Sequence, residues 1–214
     1  MTVVIYTDVF MTTIMYNVKR PACGGGTVRV TRKQAAAHRE RILDVAGTLI
    51  RERGFDGIGV AEIMKRAGLT HGGFYGHFAS KGDLAAEITA RVLGKEGWPE
   101  RLTGVANPSF GEVVRAYLSP AHRDATGKGC MLAAVGSDVV RQPRRVRHAF
   151  TEGLRARVEA LRKLLPGGSA ATKRERALTA MAALVGGLTL SRAVDDPEFA
   201  DEILEAVATI VSRS

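Results

Sequence analysis

Reactive and cross-linking side chains are scarce in this 214-residue chain. Its two cysteines, Cys23 and Cys130, stand far apart and are too few for a zinc site or a disulfide framework. No uncharged apolar run of roughly 18 or more residues occurs, which argues against a membrane-spanning helix and sets the expectation of a soluble, cytoplasmic protein. Metal-ligand spacings, phosphate-cradling glycine loops and nucleophile motifs are missing, so catalytic residues, metal ligands and cofactors are all read as none. What the chain does hold is ordinary for a folded protein: 45% hydrophobic and 25% charged residues, enough to exclude wholesale disorder. The length suits one or two domains. One quantity is out of the ordinary, a formal charge of +9 from 31 Lys and Arg against 22 Asp and Glu.

That charge is unevenly placed. Residues 29–81 hold ten Lys and Arg against five acids, a local +5, together with His38, His71 and His77. Residues 82–214 carry nineteen basic and sixteen acidic groups, only +3 over a much longer stretch. A compact basic segment is the electrostatic footprint of a nucleic-acid-binding module, although a solvated face gives the same total.

Periodicity divides the chain further. Residues 1–27 are β-branched and glycine-interrupted, with Lys19 and Arg20 after the apolar run rather than before it, unlike a signal peptide. An irregular leader is expected there, or a true start at Met11, Met15 or later. From Thr31 the period becomes helical: Ile42, Ala46, Leu49 and Ile50 form one stripe, ended by Gly54 with Phe55 as a plug. A short helix is expected from Val60 to Ala67, then a tight turn in which Gly68 takes positive φ and Thr70 caps a third helix, His71 to about Phe78. Ser80 caps a fourth, with Asp83 in its first turn. Further helices are expected over 110–119, 131–141, 146–165, 172–194 and 197–213, with no strand, so the fold class is all-α.

Two short helices joined by a glycine turn and backed by a longer one make a helix-turn-helix, whose second short helix enters the major groove. The run Val60-Ala61-Glu62-Ile63-Met64-Lys65-Arg66-Ala67-Gly68-Leu69-Thr70, followed by Phe74-Tyr75-Gly76-His77-Phe78-Ala79-Ser80-Lys81, resembles the TetR-type (tetracycline-repressor-like) transcriptional regulators over about residues 38–90. The resemblance implies a homodimer that binds a double-stranded DNA operator, with an unidentified small-molecule effector, in the bacterial cytoplasm at the nucleoid. It implies a DNA-contacting set of Thr70, His71, Gly72, Gly73, Tyr75, His77 and Lys81. The chemistry agrees: a helix N-terminus offers N–H groups to phosphates, and Tyr75, His77 and Lys81 carry a hydroxyl, a ring nitrogen and an ammonium for the backbone. Phe74 and Phe78 are expected to pack inward. Arg29, Arg32 and Lys33 form a basic arm that can reach the minor groove or remain a solvated tail.

The sequence departs from the family pattern in places. Gly73 stands where a base-facing Thr, Ala or Ser is common, Ile58-Gly59 replaces a pair of hydroxyl residues, and Met64 replaces a small one. Gly72, Gly73 and Gly76 each weaken a helix by roughly 1 kcal/mol relative to alanine, so packing must hold it.

The expected division is an irregular leader over 1–33, a DNA-binding domain over 34–96 and an effector-binding and dimerisation domain over 97–214. Helices 172–194 and 197–213 are the expected dimer elements, a wholly intrasubunit core being the alternative. Pocket candidates are Trp98, Phe110, Tyr117, Cys130, Met131, Phe150 and Met181, any of which can equally be core. Cys130 at a helix start beside Lys128 has the setting of a sensing thiol or of an inert one. The run Arg141, Arg144, Arg145 and Arg147 solvates a helix end or attracts an anion. Two rival readings stand beside the regulator: a thiol-dependent small helical enzyme using Cys130 with His122 or His148, and an architectural DNA-binding protein without an effector.

Overall fold

Helix α1 (Arg32–Arg53) turns the stripe Ile42, Leu43, Ala46, Leu49 and Ile50 entirely inward. It starts two residues inside the stretch expected to be irregular. The computed structural model describes residues 31–213, so the reading of residues 1–30, Arg29 included, lies outside them. Gly54 ends α1 with φ +74° and its N–H on the Ile50 carbonyl at 2.9 Å. A side chain at Gly54 would strike the Asp138 carboxylate, so glycine is needed here for both backbone and space. Phe55 and Ile58 follow as buried plugs.

Helix α2 (Val60–Arg66) begins at Gly59 without a side-chain cap, as Ile58-Gly59 implies, and buries Ile63 and Met64. Its Glu62 pairs with Arg66 at 3.2 Å and with Arg53 at 2.9 Å. Gly68 takes φ +68°, closing the turn through its N–H on Lys65 O and the Leu69 N–H on Met64 O. The third segment departs from expectation. His71–Gly76 is a 3₁₀ turn, not an α-helix, and Thr70 precedes it without a side-chain cap bond. Three glycines in six residues remove the propensity that would extend it, and buried Phe74 and Phe78 hold it instead.

Helix α3 (Lys81–Leu93) has the expected cap: Ser80 Oγ accepts the Asp83 N–H at 3.1 Å. Arg145 ties this cap to a later helix, with Nη2 donating to Ser80 Oγ at 2.9 Å and Nη1 paired with Asp83. Helix α4 (Trp98–Thr103) carries Pro99 in its first turn, and α5 (Phe110–Tyr117) opens with a reciprocal Ser109–Glu112 capping box. Pro120 does not merely stop that helix; it starts α6 (Pro120–Asp124).

The single helix expected over 131–141 is broken into α7 (Met131–Val135) and a 3₁₀ turn, Val139–Arg141. Gly136 sits at the break, and the Asp138 carboxylate beyond it is taken by Arg141 at 2.5 Å. Three long helices complete the described chain: α8 (Arg144–Leu164), α9 (Ala170–Ala193) and α10 (Pro197–Ser212). Helix α8 lies along α3, and Gly153 permits their close approach, since an added Cβ there would collide with the Leu93 side chain. Helix α9 packs on α8 and α10 through Ala177, Ala180, Leu184, Gly187 and Leu188. No strand occurs among the described residues, and the fold is all-α.

Candidate nucleic-acid interface and effector cleft

The turn between α2 and α3 presents the expected residues unevenly. Thr70, His71, Gly72 and Gly73 are exposed, and Tyr75 is the most exposed large hydrophobic side chain of the described residues at 67%. Its ring stands edge-on to buried Phe74 at 5.3 Å, so the plug orients the aromatic that faces outward. Lys81 opens α3, half-buried, and like Arg32, Lys33 and Lys65 it makes no ion pair with a described residue.

His77 is different. It is half-buried against His38 at 6.4 Å, and burial, with His38 and Arg39 nearby, holds its pKa below the ordinary histidine value. A neutral imidazole can donate to a phosphate but does not add charge to it.

Met64 and Gly73 face one another. A Cβ on Gly73 would lie 3.6 Å from Met64 Cε, so the large residue on α2 reaches to a glycine on the turn. Arg41 supports the same region from α1, donating to Ala67 O at 3.2 Å. Other arginines near the turn are spent on structure: Arg39 pairs with Glu87 and lies over the Phe78 ring at 4.8 Å, and Arg53 and Arg66 share Glu62.

A second site lies on the other side of α1. A cleft of about 440 Å³ is walled by α1 (Leu43, Gly47, Arg51), α3, α4 (Trp98), α8 (Arg157) and the segment Lys128–Met131. Of the expected pocket residues, Trp98, Cys130 and Met131 line it. Tyr117 is buried behind them, its ring 4.8 Å from His122 and 6.3 Å from Trp98; burial pushes its phenol well up, with the Cys130 thiol adding in the same direction. Phe110, Phe150 and Met181 do not line the cleft; Phe110 and Met181 are buried, and Phe150 packs half-buried against the core. None of the run Arg141, Arg144, Arg145 and Arg147 reaches it either, and Arg141 and Arg145 are held by Asp138 and Asp83.

His122 and Cys130 meet, but not as a catalytic pair. His122 Nδ1 lies 2.7 Å from Tyr117 O and can only donate to that carbonyl, while its Nε2 accepts the Cys130 backbone N–H at 3.1 Å. Both ring nitrogens are committed, so the imidazole is not free to deprotonate the thiol. Burial, helped by Arg192, keeps this histidine below its ordinary pKa and so neutral, as the accepting role requires. Cys130 stands at the N-cap of α7 without a side-chain cap bond. No metal-binding cluster of His, Cys, Asp or Glu occurs among the described residues.

Arg51 and Arg157, which the sequence pattern did not single out, also line the cleft. Arg157 is 7% exposed; its guanidinium stacks on Trp98 at 4.9 Å and Nη2 donates to Val92 O at 3.0 Å. A signal was present. Arg157 has Gly153 and Leu154 before it and Ala160 and Leu161 after it at helical spacing, a charge set within an apolar stripe.

Known proteins share the first of these two sites most closely. The family described as "Bacterial regulatory proteins, tetR family" matches at residues 42–88, the span of the helix-turn-helix. The HTH-type transcriptional regulator AcrR of Shigella flexneri is 43% identical over 60 residues, which is 28% of each chain. The HTH-type transcriptional repressor NemR of Escherichia coli strain K12 is 27% identical over 137 residues, 61% of this chain and 68% of that one. A TetR-family regulator from Agrobacterium tumefaciens shares the fold, with a TM-score of 0.67 at 22% identity over 84% of this chain and 98% of its own. The chain thus spans little more than a quarter of the first relative and about two thirds of the second. Over residues 42–88, then, the chain carries the helix-turn-helix segment described for the tetR family of bacterial regulatory proteins.

Proposed function

We propose that this protein is a DNA-binding repressor of transcription that holds a palindromic operator as a homodimer and is released by a small-molecule effector, acting in the cytoplasm on nucleoid DNA. The observation that carries the reading is that two helices, α1 and α8, each serve both sites. α1 supports the turn through Arg41 on Ala67 O and walls the cleft with Leu43, Gly47 and Arg51. α8 does the same from the other side, with Arg145 on the Ser80–Asp83 cap just after the turn and Arg157 in the cleft.

On this reading Thr70, His71 and the backbone of Gly72 and Gly73 approach base edges. Tyr75 and Lys81 contact phosphates, and His77 donates from a neutral ring. Residues 34–96 act as the DNA-binding part and 97–214 as the effector and dimer part. Exposed apolar groups on the last two helices, including Leu178, Leu190 and Phe199, support their use between subunits. An effector that fits the cleft only when α1 and α8 have shifted changes the spacing of the two turns in the dimer. A coupling of about 1–3 kcal/mol suffices for this. The names of the relatives, a transcriptional regulator and a transcriptional repressor, agree with it.

Selection of binding sites from random double-stranded DNA by the full chain tests the reading. A palindrome with half-sites about one helical turn apart is expected, and recovery of DNA without any enriched symmetric sequence overturns it. Tyr75→Ala and Lys81→Ala are expected to weaken binding on all sequences, Lys81→Ala lowering the salt slope by about 1. Wild-type affinity at every salt concentration removes that residue from the contact set.

A further inference from the structure

The cleft between α1, α3, α4 and α8 gathers more positive charge than its carboxylates balance, and one of its cations, Arg157, is buried. Arg51, Arg91, Lys95, Arg101, Lys128 and Arg157 line it against a single acid, Asp44. That acid is already used: Arg91 binds Asp44 at 3.1 Å and also pairs with Glu40. No carboxylate among the described residues lies within ion-pair distance of Arg51 or Arg157. Each makes one hydrogen bond to a backbone carbonyl, Arg51 Nε to Gly127 O at 2.7 Å and Arg157 Nη2 to Val92 O at 3.0 Å. The remaining guanidinium donors of Arg157, a residue 7% exposed as a whole, make no hydrogen bond to a described residue and are open to the cleft.

Desolvating a guanidinium without a counter-charge costs several kcal/mol even after relaxation, so proteins keep such groups where an anion arrives to neutralise them. Burial pushes the Arg157 pKa down to about 10, and the like charge of Arg101 works in the same direction. The group remains charged at neutral pH. Beside the charges and the polar Thr48 and His122, Leu43, Ile88, Leu93, Trp98, Leu102 and Met131 supply hydrocarbon and one indole ring. At about 440 Å³ the space is in the range that takes a small organic molecule.

We infer that the cleft binds an organic oxyanion, a carboxylate head carried on a hydrocarbon or aromatic body, with the head held by Arg157 and Arg51 and the body lying against Trp98. This deepens the effector reading above and depends on it only for the consequence at DNA. The fork of a guanidinium accepts a carboxylate through two parallel bonds, and Arg157, with one face already on Trp98, keeps its edge for that role.

The molecule carries its own reporter, because Trp98 is the only tryptophan. Titration of the full chain with 4-phenylbutyrate, read as Trp98 emission, is compared with the isosteric neutral 4-phenylbutanamide and with acetate and inorganic phosphate, which lack the body. The acid is expected to saturate with a dissociation constant about tenfold below that of the amide, a preference that falls as salt rises. Acetate and phosphate are expected to leave the emission unchanged at the same concentrations. Equal or tighter binding of the amide overturns the proposal, as does a failure of the acid to move the emission up to millimolar concentration. Phosphate or acetate matching the acid shows a charge site without an organic body, which also overturns it.

Arg157→Met is expected to reduce the acid-over-amide preference to within about twofold, and Arg157→Lys to restore part of it. A preference unchanged in Arg157→Met sinks the assignment of the head. Should Arg157→Met fail to fold, the exposed Arg101→Gln carries the test, with the acid expected to bind about threefold more weakly and an unchanged affinity counting against a charge-selective cleft. A fragment from the DNA selection separates this proposal from the wider reading. Acid binding without release of the DNA leaves the site standing and removes its regulatory role. A selected palindrome together with tight amide binding leaves the regulator standing and removes the anion.

Discussion

Helix α1 borders two surfaces that treat positive charge in opposite ways. Towards the recognition turn, the arginines are neutralised or put to structural use, Arg39 by Glu87, Arg53 by Glu62 and Arg41 on Ala67 O. What points outward there is a phenol, a hydroxyl and unpaired lysines in water. Towards the cleft, half-buried Arg51 and buried Arg157 are left with carbonyls alone and without an acid. Charge on the first surface acts at long range, is individually weak and is screened by salt. Charge in the cleft acts at contact, on few partners, and strongly. The local +5 of residues 29–81 is therefore not gathered on one surface, since Arg51 lines the cleft and does not stand at the turn.

The contrast can be broken most forcefully at Phe74, fully buried beneath the turn. Phe74→Ala is expected to cost about 3–5 kcal/mol in urea unfolding and to abolish DNA binding, because the glycine-rich turn has little helicity of its own. A loss under about 1 kcal/mol means that the turn stands without its plug.

On the cleft side the corresponding point is Gly153. Gly153→Ala forces α8 away from Leu93 on α3 and is expected to cost about 1–3 kcal/mol by overpacking, with a shift in Trp98 emission. A variant as stable as wild type, with the same emission, shows the seam to be looser than described.

Acid probes both surfaces at once. His77 and His122 are held below the ordinary histidine value of 6.5, so the unfolded chain takes up protons before the folded one does. Stability is then fully present above 6.5 and is lost as pH falls through the depressed folded values. His122 weighs more, because protonation of Nε2 removes the acceptor for the Cys130 N–H, and Arg192 repels the charge formed. In a melting series from about pH 7 to pH 5, His122→Gln is expected to flatten the acid limb. An acid limb as steep as wild type assigns the effect elsewhere.

The smallest expected effect is a gain. A Cβ added at Gly72 would meet nothing within 4 Å, and the residue has no positive φ. Gly72→Ala is therefore expected to raise stability by about 0.5–1 kcal/mol, read as a rise of a few degrees in melting temperature. Destabilisation shows that the turn requires the freedom of glycine.

Legibility in the sequence followed the range of the interactions. The Ser80–Asp83 cap, the positive φ of Gly68 and the inward Phe55, Phe74 and Phe78 all depend on neighbours a few residues away, and each stands where the pattern placed it. The helix expected over 131–141 failed because apolar periodicity outweighed the break at Gly136. The third helix became a 3₁₀ turn because three glycines, noticed as weakening, were enough to change its type. The cleft was hardest to see. It needs Arg51 and Arg157, on different helices, to meet across Trp98 and the segment Lys128–Met131, and no spacing within one helix records that meeting. Cys130 drew attention for its chemistry, yet the residues that give the cleft its character are the arginines around it.

The Met64–Gly73 contact makes the recognition turn a surface open to rewriting. A Cβ at Gly73 meets Met64 Cε and Thr70 Oγ1 only at ordinary contact distance, and one at Gly72 meets nothing. The Cβ of an alanine can therefore be introduced at either position without rebuilding what lies beneath. If the turn meets DNA as proposed, a library at these two sites explores new operator sequences over an unchanged buried plug, a starting point for orthogonal genetic switches.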